Sequence, residues 1–315
     1  MHQSNEPLIV GIQGSVINKH LNFIPNLSNF KIVNSINDPL VKQADGFIQS
    51  NILKPKTHYL QDQYNLIKES NKPFLVLESP VFRKNCTNFG SPLFMLRIGW
   101  NHFMRQGIFL NENSPADRFN KIAKDQDIII KDWRKSGDYI LFIAQKPGDS
   151  SLEQVYKTYN QYTDYVLDQI KEIRKYTDRK ILLRGHPKSN KSKQILKKLV
   201  EKQNLYNVDF STNTNSNTVT NGGEGLQKDF DNAWCVIGTT SNTLIESACL
   251  GIPTFVLDHT AMAYEMSQPH LSYIENPKLD IPRMQSLYNL AYTQWYENEH
   301  QSGYVWNRLK SAYFS

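Results

Sequence analysis

Short apolar runs alternate with longer amphipathic stretches along the whole chain, the pattern of repeated βα units around parallel sheets. In the first half the runs predict strands at Leu8 to Ile12, Phe30 to Asn34, Gly46 to Gln49 and Phe74 to Glu78, with a helix over His58 to Glu69 before the last. In the second half they predict strands at Tyr139 to Ala144, Lys180 to Arg184, Val208 to Ser211, Cys235 to Gly238 and Pro253 to Leu257. Helical stretches at Val155 to Tyr176 and Lys191 to Lys202 separate them. Each half therefore reads as one Rossmann-like α/β domain. Asn111 to Gly137 holds Pro115, few apolar residues before Ile128 and a turn at Ser136-Gly137, and reads as the connection between them. The expected boundaries are 1–125 and 126–285, with 286–315 a helical, aromatic tail that returns to the first domain.

Length and composition narrow the class. A chain of 315 residues suits two modest domains better than a single core. No apolar run approaches the ~18 residues of a membrane span, and the opening MHQSNEPLIVGIQG lacks the basic and long apolar regions of a signal peptide. The expected compartment is a cytoplasm, the host's if the chain is viral. Three cysteines, Cys86, Cys235 and Cys249, without CxxC spacing, argue against a disulfide scaffold or zinc ribbon. The net charge of +6 is unevenly spread, because Lys171 to Lys202 alone carries 12 Lys and Arg against three acidic residues. Such a run is usually a solvated helix face.

Candidate chemistry in the second half clusters at the carboxyl ends of predicted strands, where open α/β sheets bind ligands. After the strand ending at Gly238, the residues Thr239-Thr240-Ser241-Asn242-Thr243 lead into a helix whose N-terminus can hold a phosphate, with Glu246 one turn inside, placed for a ribose diol. Ser241 or Thr243 reads equally as an ordinary N-cap, with Glu246 as half of a capping box. Arg184-Gly185-His186-Pro187 follows another strand and offers two side chains to a diphosphate. Gln145-Lys146-Pro147-Gly148 follows a third. No metal ligand set is expected: Asp125-Gln126-Asp127 and Asp229-Phe230-Asp231 both read as surface pairs, and no HExxH, Walker A or GxSxG motif is present.

The RGHP element followed by GTTSNTLIESACLGIP resembles the nucleotide-binding domain of GT-B glycosyltransferases, especially the bacterial capsule and sialic-acid type. The resemblance covers roughly Tyr139 to Asp258. It implies two Rossmann-like domains facing a cleft, a nucleotide-sugar co-substrate and no further cofactor. It also implies phosphate contacts from the HP and Ser/Thr motifs, here His186, Ser241, Asn242 and Thr243, and nucleotide binding by Glu246, with Gln145, Lys146 and Arg184 joining them as donor candidates by their strand-end positions.

On that footing Glu78, at the end of the strand Phe74 to Glu78, is the candidate general base of an inverting transfer, or else a loop carboxylate paired with Arg83. Gly14 and Ser15, after the first strand, form a glycine loop that can approach the donor. Between Glu78 and Glu112 there is no acidic residue, while Arg83, Arg97, His102 and Arg105 alternate with Phe94, Trp100 and Phe103. This basic and aromatic stretch suits phosphate contacts and base stacking, or else a core with solvated arginines. Together with Gly14 to Asn18 and the Glu78/Arg83 spacing, it is similar to the phage DNA β-glucosyltransferases. That similarity implies transfer of glucose from UDP-glucose to a 5-hydroxymethylated pyrimidine, such as 5-hydroxymethylcytosine, flipped out of double-stranded DNA. A transferase of cell-surface polysaccharide and a non-enzymatic nucleic-acid-binding protein are the alternative expectations.

Overall fold

The computed structural model describes residues 6–14, 16, 18–24, 29–50, 58–83, 91–152, 155–213 and 223–314. The chain divides into two compact units, residues 1–126 with 288–315, and residues 127–287.

In the first unit β1 (Ile9–Ile12), β2 (Phe30–Val33), β3 (Gly46–Ser50) and β4 (Phe74–Glu78) are mutually parallel. β5 (Met95–Trp100) runs antiparallel to β4, and a C-terminal strand, Gln294–Tyr296, runs antiparallel to β5. The sheet order is β2-β1-β3-β4-β5 and then the C-terminal strand. β4 is apolar at four consecutive positions because both its faces are covered, and Leu75, Val76 and Leu77 are fully buried. The C-terminal segment is anchored by Arg118, whose guanidinium pairs with Glu299, donates to the carbonyls of Ala291 and Gln294, and lies 3.9 Å from the Trp295 ring. Trp100 Nε1 donates to Leu309 O at 2.8 Å, and Tyr313 and Phe314 pack edge-on against the Trp100 ring.

In the second unit all five strands, β6 (Tyr139–Ala144), β7 (Lys180–Gly185), β8 (Val208–Phe210), β9 (Ala233–Gly238) and β10 (Thr254–Val256), are parallel. Their order is β10-β9-β6-β7-β8, a doubly wound sheet whose winding reverses between β6 and β9. The helix Tyr159–Arg174 starts at a capping box between Thr158 and Gln161 and buries Tyr162, Val166, Ile170 and Ile173 against the sheet. The helix Asn190–Gln203 is capped by Ser189 and ends at Asn204 in the left-handed region.

The structure bears on three expectations. Met95–Trp100 is a wholly buried strand, and the ladder partners on both sides of it explain why Phe94, Trp100 and Phe103 lie in the core rather than on a stacking surface. The tail after Pro282 is not wholly helical, because Gln294–Tyr296 completes the first sheet. The stretch read as a connection does contain the division between the two units, after Gln126, and it also holds a helix, Asp117–Asp125, with Arg118, Phe119 and Ile122 buried.

Candidate functional site

The second sheet reverses its winding at the ends of β6 and β9, and a polar network closes that point. Gln145, just past β6, accepts at Oε1 from the Thr240 N–H at 2.8 Å and the Thr240 hydroxyl at 3.2 Å. Its Nε2 donates to Ser151 Oγ at 3.1 Å. The Thr240 hydroxyl also reaches Ser151 Oγ at 2.8 Å, and Ser151 donates to Asp149 Oδ1 at 2.9 Å. Tyr156 donates to the Gln145 carbonyl, and Tyr165 hydrogen-bonds the Thr239 hydroxyl at 3.1 Å. Burial pushes the Tyr165 phenol up to about 12, so it stays neutral. Gln145 therefore ties the two strand ends together, while Lys146 sits half-buried in the turn that continues through Gly148 at φ +69°. Ser151 and Tyr165 fall outside the candidates read from the sequence, and Thr240 appears there only within the helix-entry stretch, with no contact of its own. The hydroxyl-rich Asp149-Ser150-Ser151 and Thr239-Thr240 pairs at two strand ends were the available signal.

At the end of β7 the two predicted diphosphate ligands part company. Arg184 is buried and its Nη1 pairs with Asp229, which is fully buried and also accepts from Ser211 Oγ at 2.7 Å and Asn213 Nδ2 at 2.6 Å. Arg184 further donates to Gly225 O at 3.2 Å. The first Asp of Asp229-Phe230-Asp231 is thus no surface residue: helix Glu224–Asp231 turns it inward, where a carboxylate requires a cation. His186 remains partly exposed, and its Nδ1 accepts the Lys188 N–H at 3.2 Å.

Beyond β9, Ser241 Oγ accepts the Thr243 N–H at 3.2 Å, and Asn242 occupies the N-cap position of helix Thr243–Cys249 without a side-chain cap bond. That places Glu246 one residue past the position of a capping-box partner, so the capping-box reading of Glu246 does not hold. Ser241, Asn242, Thr243 and Glu246 are all partly exposed. The helix is stopped by Gly251 at φ +71°, where an added Cβ would lie 1.9 Å from the carbonyl oxygen of Asp132. Gly251 is required by backbone conformation and crowding together.

In the first unit Glu78 ends β4, partly exposed, and its Oε1 accepts the N–H of Ser79 at 2.7 Å. Arg97 stands opposite it on β5 and is buried, with desolvation holding its guanidinium down at about 10 against the opposing pull of Glu78. His102 is stacked on Phe103 with ring centres 5.0 Å apart, and burial followed by the charges of Arg97 and Lys68 pushes it down to about 4. Arg83 is half-buried in the loop after β4, and Arg105 is exposed. Gly14 turns at φ +86° beyond β1, and Ser15 lies outside the described residues. Among the described residues no three His, Cys, Asp or Glu side chains gather closely enough to hold a metal ion, and no helix is long and apolar enough to cross a membrane.

No protein-family model and no curated protein matches the sequence. Solved structures do match it. The KpsC β-Kdo 2,7-transferase of Thermosulfurimonas dismutans aligns with a TM-score of 0.54 at 14% identity, over 97% of this chain and 99% of that one. The KpsC β-Kdo 2,4-transferase of the same organism aligns with a TM-score of 0.51 at 11% identity, over 98% and 100%. The fold is GT-B. At such identity the likeness is one of architecture, an α/β chain of two Rossmann-like domains.

Proposed function

We propose that the protein is a glycosyltransferase that takes a sugar from a nucleotide-activated donor and passes it to a glycan acceptor of the cell-surface polysaccharide type. One observation carries the donor half. Three loops that leave β6, β7 and β9, adjacent strands of a doubly wound sheet, all emerge at the carboxyl edge where such sheets bind nucleotides, and the Gln145–Thr240–Ser151 network holds two of them together. The groups offered to the nucleotide and its phosphates are His186 with the partly exposed Ser241, Asn242, Thr243 and Glu246. Arg184 contributes by fixing the loop through Asp229 rather than by direct contact. Glu78 in the first unit serves as the general base, since an acceptor hydroxyl is too weak a nucleophile at neutral pH without a group to take its proton. The GT-B fold shared with two Kdo transferases supports sugar transfer.

The DNA-directed reading loses its stacking platform, because Trp100 and Phe103 are 0% and 4% exposed. Calorimetry with a panel of nucleotide sugars, followed by turnover with glycan oligosaccharides against a 5-hydroxymethylated duplex, tests the proposal. Product on a glycan is expected. Product on the duplex alone would return the function to DNA modification, and no binding of any nucleotide sugar would remove the transferase reading.

A further inference from the structure

The first sheet holds a buried guanidinium with two nitrogens that make no hydrogen bond among the described residues. Arg97 on β5 is in register with Glu78 on β4 and with Gln294 on the C-terminal strand, so the three side chains form a row on one face of the sheet. Gln294 is fully occupied: its Oε1 takes the N–H groups of Val81 and Phe82 at 2.8 and 3.0 Å, and its Nε2 donates to Phe82 O at 3.2 Å. These bonds pin the loop that carries Arg83. Glu78 directs Oε1 to its own neighbour, Ser79, and among the described residues no ion pair joins it to Arg97. Arg97 is 3% exposed, yet its Nε and Nη1 have no hydrogen-bond partner among the described residues. The Phe103 ring centre lies 5.6 Å from its guanidinium carbon.

The surrounding field is cationic. Arg83 acts on Arg97, and Lys68 acts with Arg97 on His102, while Glu78 is the carboxylate that opposes them. A buried cation with unpartnered donors is costly to keep, and an Arg is hard to satisfy by chance because it presents a rigid fork of donors. That fork matches the two oxygens of one carboxylate or phosphate. We propose that Arg97 is the receptor for a single oxyanion, a carboxylate or a phosphate ester, borne by the acceptor sugar, and that this anion aligns the acceptor hydroxyl with Glu78. The identity of the bearer rests on the glycosyl-transfer reading above, whereas the anion site itself does not.

The test is calorimetry on the full chain with three probes, methyl β-D-glucuronide, glucose 6-phosphate and the neutral methyl β-D-glucoside, for the wild type, Arg97→Gln and Arg97→Lys. At least one anionic probe should bind tenfold or more tighter than the neutral one, and which of the two does so separates carboxylate from phosphate. Arg97→Gln should abolish the preference, Arg97→Lys should retain part of it, and the melting temperature of Arg97→Gln should hold or rise because a buried charge with unpartnered donors has gone. Equal binding of all three probes by the wild type, or an unchanged preference in Arg97→Gln, overturns the proposal. Nucleotide-sugar binding measured on the same proteins keeps the two claims apart. Anion preference without nucleotide binding sustains the Arg97 site and removes the transferase reading, and nucleotide binding without anion preference does the reverse.

Discussion

Replacing Arg184 by Ala separates a ligand-binding arginine from one that holds the site together. Among the described residues, the substitution leaves the fully buried Asp229 carboxylate with the neutral donors Ser211 Oγ and Asn213 Nδ2. Removing one partner of a buried ion pair typically costs about 3 to 5 kcal/mol, and two surviving donors place this case near the lower end, roughly 3 kcal/mol. For a unit of this size each kcal/mol lowers the melting temperature by about 2 to 4 °C, so a fall on the order of 10 °C is expected. Because the chain has two units, amide exchange in β6, β7 and β9 is the sharper assay, since it reads the second unit by itself. The double variant Arg184→Met with Asp229→Leu should recover most of the loss, since an apolar pair of similar volume avoids desolvating two charges. The reasoning fails if Arg184→Ala keeps full protection and melting temperature while its donor Kd rises tenfold or more, for then the guanidinium would be available to phosphate.

Three further outcomes follow from the geometry. Glu78→Gln keeps the size of the side chain but cannot accept a proton, so turnover should fall ~10²-fold or more with donor affinity unchanged, and near-wild-type kcat would remove the base assignment. His300 is completely buried and burial pushes it down to about 3, so the unfolded chain takes up a proton below the ordinary value near 6.5 that the folded chain refuses. Its contribution to stability is full above pH 6.5 and declines by about 1.4 kcal/mol per pH unit as the pH falls towards 3, and a His300→Leu variant should show a correspondingly shallower acid limb in urea unfolding. Gly251→Ala must place a Cβ against the Asp132 carbonyl at a positive φ and should lower the melting temperature sharply, whereas an unaltered value would show that the turn can relax.

The α/β class and most strand positions were legible because they depend on local pattern. Phe74–Glu78 and Tyr139–Ala144 coincide with their predicted limits, since a parallel strand covered on both faces is apolar at nearly every position and no helix of that length would be. β5 escaped because Arg97 and Gly99 interrupt its apolar run, and the three residues Gln294–Tyr296 are too few to show a period at all. The predicted donor motifs sit at strand ends on either side of the reversal in the second sheet, an arrangement that βα alternation by itself suggests. What each polar side chain does there was decided only by the tertiary structure. Arg184 and Asp229 are 45 residues apart, Gln145 and Thr240 are 95 apart, and Arg97 meets Gln294 across nearly 200 residues. Hydrophobic burial follows a repeat that can be read along the chain, but a charge must find its counter-charge wherever the fold brings one, and the sequence carries no period for that.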